Sequence, residues 1–219
     1  MNLSKLSTIS QFAGDLCYLF LAIVAVWGLY CVVVVWRRTN QLRFRSEAEY
    51  SEFLTSVESY LAAEDIQSAE QVVVDDDRAA AQLTKLSIEL RETEPAKLRH
   101  LLADRYQRDV SSDLEYRLSW VNTVIKTAPM LGLFGTVLGM MSAFGRLGAN
   151  SGGVEAAGLA EDISLALITT AIGLAIAIPM SLAVASLNIR IRKLEEQVNF
   201  GLSRVLDCLP GRPAALARR

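Results

Sequence analysis

Apolar residues follow two rhythms along this chain. Three runs, 16–36, 127–145 and 163–189, of 21, 19 and 27 residues, are apolar on every side and hold almost no ionisable group. About 20 helical residues cross the hydrocarbon core of a bilayer, so three membrane spans are predicted. Elsewhere the apolar positions recur every three or four residues, the mark of a helix with one buried face. Segment 46–74 reads as helical through Phe53, Leu54, Val57, Leu61 and Ile66, and Asp75-Asp76-Asp77 is a polar break. From Pro95, a good first-turn residue, a stripe runs Leu98, Leu102, Tyr106, Val110, Leu114, Leu118, Val121, Ile125, entering the second run without a breaker until Pro129. A third stripe, Leu187, Ile191, Leu194, Val198, Leu202, Val205, Leu209, leaves the last run with heptad spacing and stops before Pro210-Gly211. Two such helices outside the bilayer need covering, either by one another or by copies of the chain.

The expected layout is therefore all-α: a short N-terminus (1–15), first span (16–36), a helical segment (37–126), second span (127–147), a short loop (148–161), third span (162–187) and a helical tail (188–219), loose from 211. Charge orients it. Arg37, Arg38, Arg43 and Arg45 follow the first span, Lys126 precedes the second, and Arg190, Arg192 and Lys193 follow the third, whereas the 146–162 loop offers only Arg146. The positive-inside rule then puts the N-terminus outside and 37–126 and the C-terminus inside. The first run is too long for a cleaved signal and ends in Trp36-Arg37-Arg38 rather than small residues, so it reads as an anchor.

At 219 residues, 52% hydrophobic, the chain is too apolar for an ordinary soluble domain, and its net charge of −2 hides basic clusters confined to the membrane edges. That distribution is not a nucleic-acid footprint. Cys17, Cys31 and Cys208 lack metal-type spacing, and His100 is alone on a polar segment. With no zinc-type His-Glu pair and no nucleophile elbow, an enzyme is not expected, and neither is a cofactor or metal.

The second and third runs carry the functional clues. Gly132, Gly135 and Gly139 share one helix face and read as a packing surface, since small residues let backbones approach in lipid. In the third, Asp162, Ala166, Thr170, Gly173, Ala177 and Ser181 fall at steps of 4, 4, 3, 4 and 4, a stripe roughly a quarter of the circumference wide. It is either a helix interface or the wall of a water-accessible lumen. Neither 127–145 nor 163–189 contains Asp, Glu, His, Lys or Arg. A proton relay normally needs a titratable group at depth, so a proton-driven machine built from this chain must obtain its carboxylate from another polypeptide.

The segment Thr127-Ala128-Pro129-Met130-Leu131-Gly132-Leu133-Phe134-Gly135-Thr136-Val137-Leu138-Gly139-Met140-Met141, with Phe144, resembles the signature of the MotA/TolQ/ExbB proton channel family. So does Ala166-Leu167-Ile168-Thr169-Thr170-Ala171-Ile172-Gly173-Leu174-Ala175-Ile176-Ala177-Ile178-Pro179. The match is close over about 120–190, and three spans resemble ExbB and TolQ better than the four-span MotA. The resemblance implies an all-helical subunit of a bacterial inner membrane complex, forming a homopentamer around an ExbD/TolR-like single-span partner that carries the protonatable Asp. It further implies a TonB/TolA-like protein to receive the motion, and Thr136 and Thr170 beside the proton path. One position departs. Where ExbB and TolQ carry a Glu, five residues before the third-span Thr, this chain has Leu165; Asp162 lies one turn earlier, with Glu161 beside it. Asp162 either takes over part of that role or is a solvated acid at a helix start. A non-conducting adaptor of the same fold is the alternative function.

Overall fold

The computed structural model describes residues 3–149 and 156–209, with side chains over 16–145 and 158–209, and all regular structure among them is helical. The order is α1 (Leu3–Leu42), α2 (Glu47–Ala62), α3 (Ile66–Val74), α4 (Ala79–Glu89), α5 (Pro95–Tyr106), a π-turn (Gln107–Ser111), α6 (Ser112–Ala149) and α7 (Ala156–Cys208). Three stretches, Leu16–Leu42, Pro95–Gly145 and Gly158–Cys208, are long and apolar enough to cross a membrane. The centre of the expected 148–161 loop, the Pro210-Gly211 stop, the 211–219 tail and the Arg146 side chain lie outside the described residues.

The chain divides into two compact units: Met1–Val33 with Leu118–Ala185, and Val34–Arg117 with Ser186–Arg219. The first is a three-helix bundle. Along α1, Cys17, Leu21, Gly28 and Cys31 are buried, while Leu19, Phe20, Ile23, Val26, Leu29 and Tyr30 are exposed. Cys17 Sγ donates to the Leu131 carbonyl of α6 at 3.2 Å, and Tyr18 Oη donates to the Leu165 carbonyl of α7 at 3.0 Å. At Gly28 a methyl group would lie 2.5 Å from the Met180 side chain and 2.7 Å from Val124. These pairings make α1 antiparallel to α6 and parallel to α7, an up-down-up order. Trp27 and Trp120 meet edge to face at 6.4 Å.

The second unit is held as water-soluble helices are, by burying one stripe. Leu98, Leu102, Tyr106, Val110 and Leu114 are all buried. Steps of four overshoot a full turn by about 40° each, so a regular α-helix would carry this stripe off its face. The π-turn corrects it: the Ser112 N–H reaches back five residues to the Gln107 carbonyl, widening one turn so that the stripe stays inward. The other stripe is covered too, with Leu187, Leu194, Val198 and Val205 buried. α2 packs on it: Tyr50 Oη donates to the Gln197 carbonyl, Leu54 approaches Gly201, and Arg204 pairs with Glu58 at 2.6 Å. The α1–α2 link is tied by Arg78, which binds Glu49 at 2.6 Å and Asp76 at 2.9 Å and lies 4.0 Å over the buried Phe44 ring. That guanidinium holds the exposed Glu49 carboxyl below the usual carboxylate range.

The structure departs from the sequence reading in this unit. The helical segment 46–74 is two helices, because Glu64 adopts a left-handed φ of 58° and Asp65 starts α3 by accepting from the Ser68 N–H at 3.1 Å. α4 was not anticipated, although Ala79, Leu83, Leu86 and Leu90 fall at helical spacing; its buried face is largely small and polar, Ala79, Ala80, Ala81, Thr84 and Ser87 with Leu83 and Ile88.

Burial pushes the Tyr50 phenol up to about 12, and burial with the nearby Glu195 does the same to Tyr106. A raised folded-state pKa gives stability that is complete below the unfolded value of 10.0 and lost as pH rises through about 12. Thermal melts of the purified protein should therefore fall in this window, and Tyr50→Phe with Tyr106→Phe should flatten the fall. At neutral pH Tyr50→Phe should cost about 1 kcal/mol through the lost hydrogen bond.

Candidate functional site

The membrane unit is built on backbone contact between α6 and α7. A methyl group on Gly132 would lie 2.7 Å from the Thr169 carbonyl oxygen and 2.8 Å from Thr170 Cα. One on Gly173 would lie 2.6 Å from the Ala128 carbonyl oxygen and 3.2 Å from Pro129 Cα. Gly135 faces the Thr169 side chain, and Gly139 would place a methyl group 2.5 Å from Ala166 Cβ. Contact positions rise along α6 as they fall along α7, so the helices are antiparallel. Such proximity is possible only where no side chain intervenes, which is why glycine occupies these positions.

Two threonines, Thr169 and Thr170, lie at this contact. Thr169 is only 3% exposed; its Oγ1 lies 2.9 Å from the Gly132 carbonyl and 2.7 Å from that of Ala166, sharing one proton between the helices. Thr136 donates to Leu133 at 2.7 Å and Ser181 to Ile178 at 2.8 Å, each within its own helix. Thr170 differs: Oγ1 is buried and meets no hydrogen-bond partner among the described residues, a state shared in these spans by Ser142 Oγ. In hydrocarbon an unsatisfied hydroxyl is costly, so both are poised to take a water or a partner's polar group.

A family model for the MotA/TolQ/ExbB proton channel family matches residues 70–199, more than half of the chain. The chain belongs to this family. It is 45% identical over 75 residues to the biopolymer transport protein ExbB of Helicobacter pylori, covering 34% of this chain and 51% of that protein. It is 44% identical over 90 residues to the Tol-Pal system protein TolQ of Haemophilus influenzae, covering 41% and 38%. With the ExbB of Neisseria gonorrhoeae it shares 42% identity over 74 residues, covering 34% and 33%. The chain thus spans about half or less of the length of these relatives. Family membership and three apolar helices make it a multi-pass membrane protein.

Within this family fold the third-span stripe divides by residue. Asp162, Ala166, Gly173 and Ala177 are buried, Ala166 and Gly173 against α6, whereas Thr170 is half-buried and Ser181 exposed. The two uses left open for the stripe, interface and lumen wall, therefore need not compete. Asp162 is 8% exposed, its backbone beside Gly139, while Leu165 at the departed Glu position is 49% exposed. The two positions do not share an environment. Sequence reasoning missed Thr169 and Ser142. Thr169 was visible as a second hydroxyl three residues after Ala166, on the glycine-facing side; Ser142 continues the face of Gly135 and Gly139 and could have been found the same way.

Because the clashes at Gly132 and Gly173 are with backbone, which cannot rotate away, Gly132→Ala and Gly173→Ala should each destabilise the bundle by about 1–3 kcal/mol. Thr169→Val, which removes one interhelical hydrogen bond, should cost only about 0.6 kcal/mol. Unfolding titrations in detergent micelles would check this order.

Proposed function

We propose that this chain is the proton-channel scaffold subunit of a bacterial inner-membrane energy-transducing complex. Five copies surround the transmembrane segment of an ExbD/TolR-like partner, whose Asp carries the proton, and the resulting motion passes to a TonB/TolA-like protein for transport or an envelope process. The N-terminus lies outside, residues 37–126 and the C-terminus inside, following the basic flanks of the spans. Spans 16–36, 127–147 and 162–187 anchor each copy, and the 148–161 loop faces the periplasm.

The single observation that carries this reading is the Thr170 hydroxyl, buried and without a partner among the described residues, next to Thr169, whose hydroxyl is fully engaged. A hydroxyl can accept and donate in turn, so it can order water or relay a proton to a carboxylate brought by the partner. Thr136 and Ser181 extend that wall. Ala166, Gly173 and Ala177 form its backing, which keeps the threonine in place, and Gly132, Gly135 and Gly139 hold the two helices together. Asp162 lies at the end of the seam beside Gly139, and in this reading it serves the outer mouth, with Glu161 next to it in the chain.

The burial of four stripe residues inside one chain favours a second reading, a non-conducting adaptor of the same fold that only holds its partner. Thr170→Val keeps the volume and deletes the hydroxyl. Proton uptake into vesicles holding the complex should fall by about a hundredfold, the lower end of general acid-base contributions, while the complex still purifies intact. Unchanged uptake would leave the adaptor reading standing. Asp162→Asn should lower uptake as well; normal flux would remove that residue from the path.

A further inference from the structure

A cavity of 640 Å³ in the second unit is lined by residues of the α1–α2 link, α2 and α7. Three cations with no ion pair among the described residues, Arg43, Arg45 and Lys193, share the lining with two carboxylates, Glu47 and Glu196; a fourth cation, Arg204, is already neutralised by Glu58. Phe44, Tyr50 and Phe200 supply the apolar part of the wall. Two lining residues hold buried polar atoms without partners among the described residues, and they are of opposite kind: Arg43 Nε is a donor and Gln197 Oε1 an acceptor. Both residues line the cavity, and each brings to it an unmet hydrogen-bonding group.

Position narrows the occupant. Lys193 lies four residues past the apolar run ending at Ile189, and Arg43 seven past the run ending at Trp36. At the helical rise these offsets are about 6 and 10 Å, so the two cations lie within and just beyond a headgroup layer about 5–8 Å thick, outside the hydrocarbon. We propose that the cavity binds the headgroup of a phospholipid whose phosphate is met by Arg43, Arg45 and Lys193 and whose own N–H or O–H donor is met by Gln197 and the two glutamates. Ethanolamine and glycerol headgroups satisfy this chemistry. A choline headgroup carries the phosphate but no donor, and leaves Gln197 unmet. The inference rests on the membrane placement of the spans and is independent of proton conduction.

The test is native mass spectrometry of the intact purified protein in detergent with added phosphatidylethanolamine, phosphatidylglycerol or phosphatidylcholine, and with soluble phosphoethanolamine in place of lipid. Retention of the first two over phosphatidylcholine is expected. Arg43→Met and Lys193→Gln should each weaken it about fivefold, the effect of one basic contact to lipid. Gln197→Met should erase the discrimination against choline, and Arg99→Gln, an exposed cation on α5 away from the cavity, should change nothing. Lys193 is exposed, so its variant keeps the fold and stands in should Arg43→Met fail to assemble. Equal retention of all three lipids, or equal weakening by Arg99→Gln, would overturn the site. Binding of soluble phosphoethanolamine as tight as that of the lipid would overturn the lipid as occupant.

Discussion

Backbone contact between α6 and α7, with Gly132 against Thr169 and Gly173 against Ala128, is the constraint on which the membrane unit depends. Hydrocarbon solvates leucine as well as a neighbouring helix does, so apolar burial supplies no net drive for two helices to associate there. What remains is dispersion at short range and hydrogen bonds across the contact, and both require small residues. Thr169 can bridge to the Gly132 carbonyl because Gly132 has no side chain to hold the helices apart. The same logic seats α1, where Gly28 lets Val124 and Met180 close over it. Once the seam is fixed, the direction of every other side chain on α7 follows from 100° per residue, and Thr170 is left half-buried next to a fully engaged neighbour.

Beyond the spans the same helices obey different physics. α7 changes from glycine, alanine and threonine to a leucine and valine stripe as it passes from the first unit to the second, and α5 with the start of α6 does the same. In water, burying that stripe is itself the driving force, so bulky residues replace small ones and the glycine that remains, Gly201, marks where Tyr50 of α2 crosses. The π-turn at Gln107–Ser111 belongs to this regime: keeping a four-residue repeat inward outweighs the cost of one irregular turn.

The spans and the long helical extensions were legible because each is a sustained pattern over many residues. The glycine face, which meets α7, stood out for the same reason. What escaped had short or silent signals. The break at Glu64 contains no glycine or proline, so a left-handed residue there leaves no mark beyond the capping Asp65. α4 buries mostly alanines and hydroxyls beside Leu83 and Ile88, so its inner face stands out little from the polar segment around it. The division of the third-span stripe was beyond a helical wheel, since Ala166 and Thr170 differ by only about 40° and only the position of α6 decides which of them is covered.

The most direct measurement is an electron cryomicroscopy structure of the purified protein with its partner in lipid. The account predicts a five-fold ring in which Gly132, Gly135 and Gly139 meet α7 of the same subunit and Thr170 opens on a hydrated lumen occupied by a partner helix. A ring in which these glycines meet a neighbouring subunit, or in which Thr170 faces lipid, would contradict it.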